Sequence, residues 1–427
     1  MIRGESTLRM RHIGPLVVGA LPIRPLASHT VTEFGQSVLR ERSRLEWRIT
    51  DGGDPTRLLE DFLAAAGLPV RDLAAPPLPP VPGAPAGATV YFSAAAAAHA
   101  IGAPTGPASP VPAVPDLVAV VYEPAVGHGP VAGPADPDGA DAGPADAPDG
   151  GWWLGPWRES WTPAQHAAAV EQARAAIARG DVYQVNVVGH ASADYTGDPL
   201  PALARLATLP GARYGGVLAG SGWAIGCASP ETLVEVTAGR AVTRPIKGTR
   251  PATATGRAEI LASPKERAEH VMIVDLERND LARVAKTGTV RVDELYGIRR
   301  WCDLWQAESV VSADLADGCG LADLLRAVCP GGSVTGAPKH AALAEIAARE
   351  PVGRGASMGA LGWIGPDRVD LGLTIRTAAV DADRVHVWAG GGITWGSDPD
   401  AEVAEAAAKA APVRAALAGP AGARRPR

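Results

Sequence analysis

Cysteine, lysine and phenylalanine are scarce in this chain of 427 residues, and each scarcity narrows what it can be. The four cysteines, Cys227, Cys302, Cys319 and Cys329, have neither zinc-ligand spacing nor the spacing of a disulfide framework, so a reducing cytoplasm is the expected compartment. No apolar run free of charge and proline reaches membrane-spanning length. The start, Met1 to Ala27, carries arginines and a short apolar stretch, Pro15 to Ile23, but Pro15 and Pro22 interrupt it, which makes a poor signal peptide. Positive charge is not in excess either. The formal net charge of −6 argues against nucleic acid or an anionic membrane as the main partner, while leaving room for a local basic pocket. What is present, 46% apolar and 20% charged residues, describes a globular protein with a sizeable core, of one large or two to three ordinary domains.

Of the 40 Lys and Arg residues only five are lysine, so a lysine in a stiff setting draws notice. Lys247 lies in Thr243-Arg244-Pro245-Ile246-Lys247-Gly248-Thr249-Arg250-Pro251. Prolines fix φ on both sides, Ile246 suits a strand, and Gly248 lets the backbone turn. An arginine stays protonated, whereas a lysine amine is tunable by burial and by charged neighbours and can act as a nucleophile. A solvated strand-end lysine is the plain alternative.

Residues 1–75 carry weak amphipathic signals, such as Leu58 to Leu63, and no motif of chemical meaning. From Ala74 to Gly151 Pro, Ala, Gly and Asp dominate, with Val118 to Tyr122 as the one clear strand and Pro130 to Gly150 as a long loop or linker. The expected organisation is an N-terminal lobe over 1–150, a second domain over 151–416 and a tail over 417–427. Thr162 reads as an N-cap with Pro163 at the first helical position and Gln165 completing a capping box, and the helix stops at Gly180. Val182 to Val188 follows as a strand. Ser263-Pro264-Lys265-Glu266 opens a second capped helix to about Ala285. Further strands are expected at Tyr214 to Ala228, Leu233 to Val236, Arg240 to Ile246, Thr289 to Glu294, Met358 to Ile364, Leu371 to Val380 and Val385 to Ala389. Helices are expected near Leu321 to Val328, after Pro338, and from about Asp400.

Glu266 with Glu269, and Glu402 with Glu405, stand three apart, so each pair can share one helix face. Four carboxylates from two helices suit a hard cation such as Mg²⁺, although Glu266 also suits a capping box and Glu405 with Lys409 a surface ion pair. Gly331 to Gly336, ahead of a helix start, offers backbone N–H groups to a carboxylate or phosphate, as does Gly390-Gly391-Gly392; either alone is a weak signal. Asp275 to Asp280 reads as a solvated helix face.

Taken together, Ser229-Pro230-Glu231, Pro245 to Pro251, Glu266 to His270, Val274 to Leu281, Pro330 to Lys339, Thr374 to Ala378 and Glu402 to Glu405, in that order, resemble the chorismate-utilising enzymes over about Trp161 to Ala415. That family takes in anthranilate synthase component I, aminodeoxychorismate synthase component I, and the isochorismate and salicylate synthases. The resemblance implies an α+β fold of two lobes, antiparallel sheets surrounded by helices. It implies Mg²⁺ held through Glu266, Glu269, Glu402 and Glu405 against the ring carboxylate of chorismate. It gives the other carboxylate to Arg376 and to amides near Gly391 and Gly392, with Thr249, Thr335, Gly336 and Lys409 as further substrate contacts, and makes Glu231 the general acid.

Within the family, lysine at the position of Lys247 resembles the aminodeoxychorismate synthases, where anthranilate-forming relatives carry alanine. The implied reaction replaces the C4 hydroxyl of chorismate by an amine through a lysine adduct, serving p-aminobenzoate and folate or a specialised metabolite. At neutral pH an unperturbed lysine is neutral about one time in 10³, a deficit of about 4 kcal/mol, so a lowered pKa is expected. Gln184 stands where the water-using synthases place a lysine base, which disfavours isochorismate formation. Gln306 replaces a histidine usual in relatives, which disfavours anthranilate, and Trp363 replaces a tyrosine. No glutaminase signature surrounds any cysteine, so ammonia is expected from a separate glutamine amidotransferase subunit. The alternatives are anthranilate synthase component I, an isochorismate synthase, or a catalytically silent chorismate-binding homologue.

Overall fold

The computed structural model describes residues 39–76, 83–124 and 151–419. The Arg-bearing start, the expected loop from Pro130 to Gly150 and most of the expected tail lie outside the described residues. The chain forms an α+β fold around two antiparallel sheets. The ten-stranded sheet runs in the order Leu39–Trp47, Leu117–Pro124, Gly87–Phe92, Ala360–Ile364, Arg368–Leu373, Thr232–Thr237, Arg240–Arg244, Leu304–Asp314, Ile246–Pro251, with Arg291–Trp301 also against Leu304–Asp314. The eight-stranded sheet runs Gly336–Ala337, Gln184–Thr196, Arg384–Ile393, Thr377–Val380, Trp223–Ser229, Tyr214–Gly220, and the short pieces Trp153–Leu154 and Arg158–Glu159 also pair with Gln184–Thr196. Strands from before and after residue 150 share the larger sheet, where Gly87–Phe92 pairs with Ala360–Ile364. One apolar core, containing Phe92, Val120, Leu371, Ile225 and Trp388, joins side chains of both sheets.

Local signals set the helices. Thr162 accepts from the Gln165 N–H, Pro163 opens Pro163–Arg179, and Gly180 ends it in the left-handed region, as the sequence leads one to expect. Ser263 caps Pro264–Ala282 by accepting from the Glu266 N–H. The last helix, Pro399–Ala418, continues two residues into the expected tail, and Leu417 is fully buried.

Where the strands depart from expectation, the site is built. Leu371 to Val380 is two strands, Arg368–Leu373 in the larger sheet and Thr377–Val380 in the smaller, joined by Thr374-Ile375-Arg376. Arg376 has φ +53°, a left-handed conformation uncommon for a side chain of this size. Trp223–Ser229 and Thr232–Thr237 likewise belong to different sheets, so Pro230-Glu231 is a second crossover. The two crossovers are bonded together: the Leu373 N–H donates to the Glu231 carbonyl at 3.0 Å and the Ala228 N–H to the Arg376 carbonyl at 3.1 Å. Arg240 to Ile246 also divides, at Pro245, which has no N–H to continue a ladder.

The stretch Asp275 to Asp280 is only in part the solvated face expected of it: Asp275, Arg278 and Asn279 are exposed, whereas Glu277 and Asp280 are buried. Glu277 and Asp280 are 3% and 5% exposed, because the Lys339 ammonium, from a distant segment, donates to Asp280 at 2.7 Å and Thr243 donates to Glu277 at 3.1 Å.

Candidate active site

A cleft of about 730 Å³, open mouth included, lies at the seam where the chain crosses between sheets. Lys247 reaches it from Ile246–Pro251, at a shift in the register with Leu304–Asp314 between Lys247 and Thr249. Gly248 makes that shift possible: its φ is +71°, and a Cβ there would stand 2.9 Å from Glu266 Oε2. The Lys247 ammonium donates to the Ser333 carbonyl at 3.2 Å. Burial pulls the Lys247 amine below its ordinary value; Glu269, Glu231 and Glu405 oppose this and Lys409 adds to it.

Glu231, 4% exposed on its crossover, accepts from the Ile246 N–H at 3.2 Å, next to Lys247 in sequence. Burial pushes its carboxyl up, against Ser333, Lys247, the Ile246 N–H and Arg376. Arg376 enters from the other crossover, its guanidinium carbon 4.9 Å from the centre of the Trp301 ring. Burial lowers it to about 10, which leaves it protonated at neutral pH, and its Nε has no hydrogen-bond partner among the described residues. Gly391 and Gly392 line the same cleft. A Cβ at 391 would stand 3.1 Å from Glu402 Oε2, and one at 392 would stand 2.5 Å from Gln184 Nε2 and 2.9 Å from Lys247 Nζ, so a side chain there would displace groups of the cleft.

Residues 134–415, which contain every one of these groups, match the chorismate binding enzyme family. The chain belongs to that family. It is 40% identical over 257 residues, 58% of this chain and 50% of the other, to anthranilate synthase component 1 of Streptomyces coelicolor. It is 37% identical over 256 residues, 58% of this chain and 56% of the other, to aminodeoxychorismate synthase component 1 of Salmonella typhimurium. The match thus spans about half the length of these curated relatives. Its fold is that of anthranilate synthase component I from Streptococcus pneumoniae, with a TM-score of 0.69 at 24% identity over 91% of this chain and 94% of that one. The menaquinone-specific isochorismate synthase of Escherichia coli shares the fold at a TM-score of 0.58 and 16% identity, over 90% and 95% of the two chains.

In this member of the chorismate binding enzyme family all four expected acids line the cleft, Glu266 and Glu269 from Pro264–Ala282, Glu402 and Glu405 from Pro399–Ala418. Glu266 meets Arg250 at 3.1 Å, Glu269 accepts from Thr394 at 2.7 Å and Glu402 from Ser397 at 2.6 Å. Glu405 pairs with Lys409 at 2.6 Å, inside the cleft and not on the outer surface, and Lys409 also donates to the Gly390 carbonyl at 3.0 Å. Although burial acts to raise it, Lys409, Arg250 and Lys247 hold the Glu405 carboxyl below its ordinary value. Among the described residues no group of three or more His, Cys, Asp or Glu side chains is arranged to hold a metal ion. The donor chemistry of the four acids still fits a hard divalent cation, because Mg²⁺ takes one or two carboxylates and fills its other positions with water or substrate oxygens.

Thr249 lines the cleft; Thr335 and Gly336 are not among its lining residues. Thr335 is fully buried, its hydroxyl donating to the Gly331 carbonyl at 2.8 Å, and Gly336 pairs with Val185, so both hold the glycine loop from behind. Gln306 lines the cleft, whereas Trp363 stacks on Tyr122 in the larger sheet, 6.0 Å between ring centres, and takes no part in it. Asn186 and Ser333 line it without having been singled out by sequence. The signal for Asn186 was the alternation Gln184-Val185-Asn186-Val187, which puts two amides on one strand face. Gln184 is 1% exposed, and among the described residues neither of its amide atoms nor Asn186 Oδ1 has a hydrogen-bond partner.

Proposed function

We propose that this chorismate-binding enzyme is an aminodeoxychorismate synthase component I, converting chorismate and ammonia to 4-amino-4-deoxychorismate. Relatives named for the anthranilate reaction and for the aminodeoxychorismate reaction are similar to the chain at 40% and 37%, so overall similarity does not separate the two. The observation that carries the reading is Lys247, whose amine is in the cleft with its pKa lowered by burial, beside a Glu231 raised by burial.

In this reading Arg376 and the amides of Gly391 and Gly392 take one carboxylate of chorismate and fix the ring. Glu266, Glu269, Glu402 and Glu405 would hold Mg²⁺, which supplies positive charge opposite the ring carboxylate when bound. Glu231 donates its proton to the C4 hydroxyl, which leaves as water. The Lys247 lone pair forms a bond to C2 while the two ring double bonds shift, and the adduct nitrogen stays a secondary ammonium that can later leave as a neutral amine. Ammonia then bonds to C4, the double bonds shift back, and the C2–N bond breaks to return Lys247. Glu231 recovers its proton from the new ammonium group. The net change is hydroxyl for amine at C4, with water released. A separate glutamine amidotransferase subunit supplies the ammonia, and free ammonium is a poorer substitute.

The test is mass-resolved product analysis of the purified chain with chorismate, Mg²⁺ and ammonium at alkaline pH. The amino product without released pyruvate supports the reading. Anthranilate with pyruvate, or isochorismate formed without ammonium, would overturn it, as would lack of any turnover after a glutaminase subunit is added.

A further inference from the structure

We infer that Trp301 is a positioning residue for Arg376, a strut that carries the substrate-facing guanidinium from the opposite sheet. Trp301 ends the strand Arg291–Trp301 of the larger sheet and is 1% exposed. Three contacts close a ring around it. Its Nε1–H donates to the Ala228 carbonyl at 3.1 Å; the Ala228 N–H donates to the Arg376 carbonyl at 3.1 Å; and the Arg376 guanidinium carbon lies 4.9 Å from the centre of the Trp301 ring.

Each contact answers a need of the site. Arg376 holds a left-handed backbone, φ +53°, which persists only where surrounding bonds over-determine it, and the Ala228 bond to its carbonyl is one of these. The guanidinium is buried, Glu231 and Glu405 favour its charge against that burial, and its Nε has no hydrogen-bond partner among the described residues, so the indole face is a further contact that holds it in place before substrate arrives. The face of an indole, the best of the aromatic rings for a cation, does this without competing for the N–H donors a carboxylate would take. Ala228 stands three residues before Glu231, near the end of the strand Trp223–Ser229 that leads into its crossover, so the strut also ties Arg376 to the segment bearing that carboxyl.

The inference rests on the reading that Arg376 takes a carboxylate of the substrate, and the test separates the two. Four chains are compared with the parent by steady-state kinetics against chorismate with ammonium: Trp301→Phe, Trp301→Met, Arg376→Met, and the Trp301→Met, Arg376→Met pair. Trp301→Met is expected to raise KM about tenfold with kcat changed less than about threefold, and Trp301→Phe, which keeps a ring under the cation, to stay within about threefold of the parent KM. In the Arg376→Met background the Trp301→Met change is expected to leave KM where it is. Equal KM for the Phe and Met variants, or an undiminished Trp301 effect without Arg376, would overturn the strut, since mere packing predicts both. If Arg376→Met leaves KM unchanged, the carboxylate reading fails, and the strut is then judged by thermal midpoints of the same four chains. Non-additive shifts support it and additive shifts overturn it. Should Trp301→Met not fold, a thermal cycle built on Trp301→Phe separates the same two outcomes.

Discussion

Lys247 and Glu231 illustrate how one physical cause prepares two groups for opposite tasks. Burial disfavours whichever form is charged, so it lowers the amine and raises the carboxyl, the direction that the proposed attack with loss of water asks of each. Their placement depends on Gly248, between Lys247 and Thr249. Gly248→Ala would put a side chain at φ +71° with its Cβ 2.9 Å from the Glu266 carboxylate. A left-handed alanine alone loses about 1–2 kcal/mol of stability, and the clash adds to that. Urea unfolding is therefore expected to show a lower midpoint for Gly248→Ala, with activity reduced as well; an unchanged midpoint would mean that the strand relaxes freely around this position.

The helix Pro264–Ala282 serves the cleft with one turn and the protein interior with another. Burial and Asp280 push the Glu277 carboxyl up to about 8 from an ordinary 4.5, with Lys339 opposing. The folded chain therefore keeps this proton over a range in which the unfolded chain has released it, and stability falls as pH rises from about 4.5 to about 8. Glu277→Gln removes the dependence. Its thermal midpoint relative to the parent is expected to climb between pH 5 and pH 8.5; a gap that does not change with pH would place the carboxyl's titration elsewhere. The two ends of this helix differ in how far the sequence discloses them. Caps are local, so Ser263, like Thr162 and Gly180 on the earlier helix, could be assigned from its neighbours alone. The burial of Asp280 depends on Lys339, 59 residues away, and the break inside Leu371 to Val380 depends on two sheets whose strands come from distant segments. No window of a dozen residues contains that information.

At the scale of the whole molecule, the cleft exists because the chain passes between two sheets at Glu231 and again at Arg376, while two helices bring acids to the same opening. The order of the sequence motifs was enough to name the family and most of the cleft, since Glu231, Lys247, Arg376 and the four acids all line it. Thr335 and Gly336, named from the same motif, are not among the lining residues, and Asn186, which lines the cleft, was not named. If the acids act together on Mg²⁺, chelation abolishes turnover and Mg²⁺ restores it. Glu269→Gln and Glu402→Gln are expected to raise the Mg²⁺ concentration for half-maximal rate at least tenfold, about 1.4 kcal/mol. Turnover indifferent to a chelator would remove the ion from the reaction.

The most direct measurement sets the parent beside Lys247→Ala and Lys247→Arg, with chorismate, Mg²⁺ and ammonium, and follows 4-amino-4-deoxychorismate by mass. Alanine has no nucleophile and arginine remains protonated, so both variants are expected to lose at least about 10²-fold in kcat while still binding chorismate. Amination at the parent rate by Lys247→Ala would contradict the claim that this lysine carries the reaction.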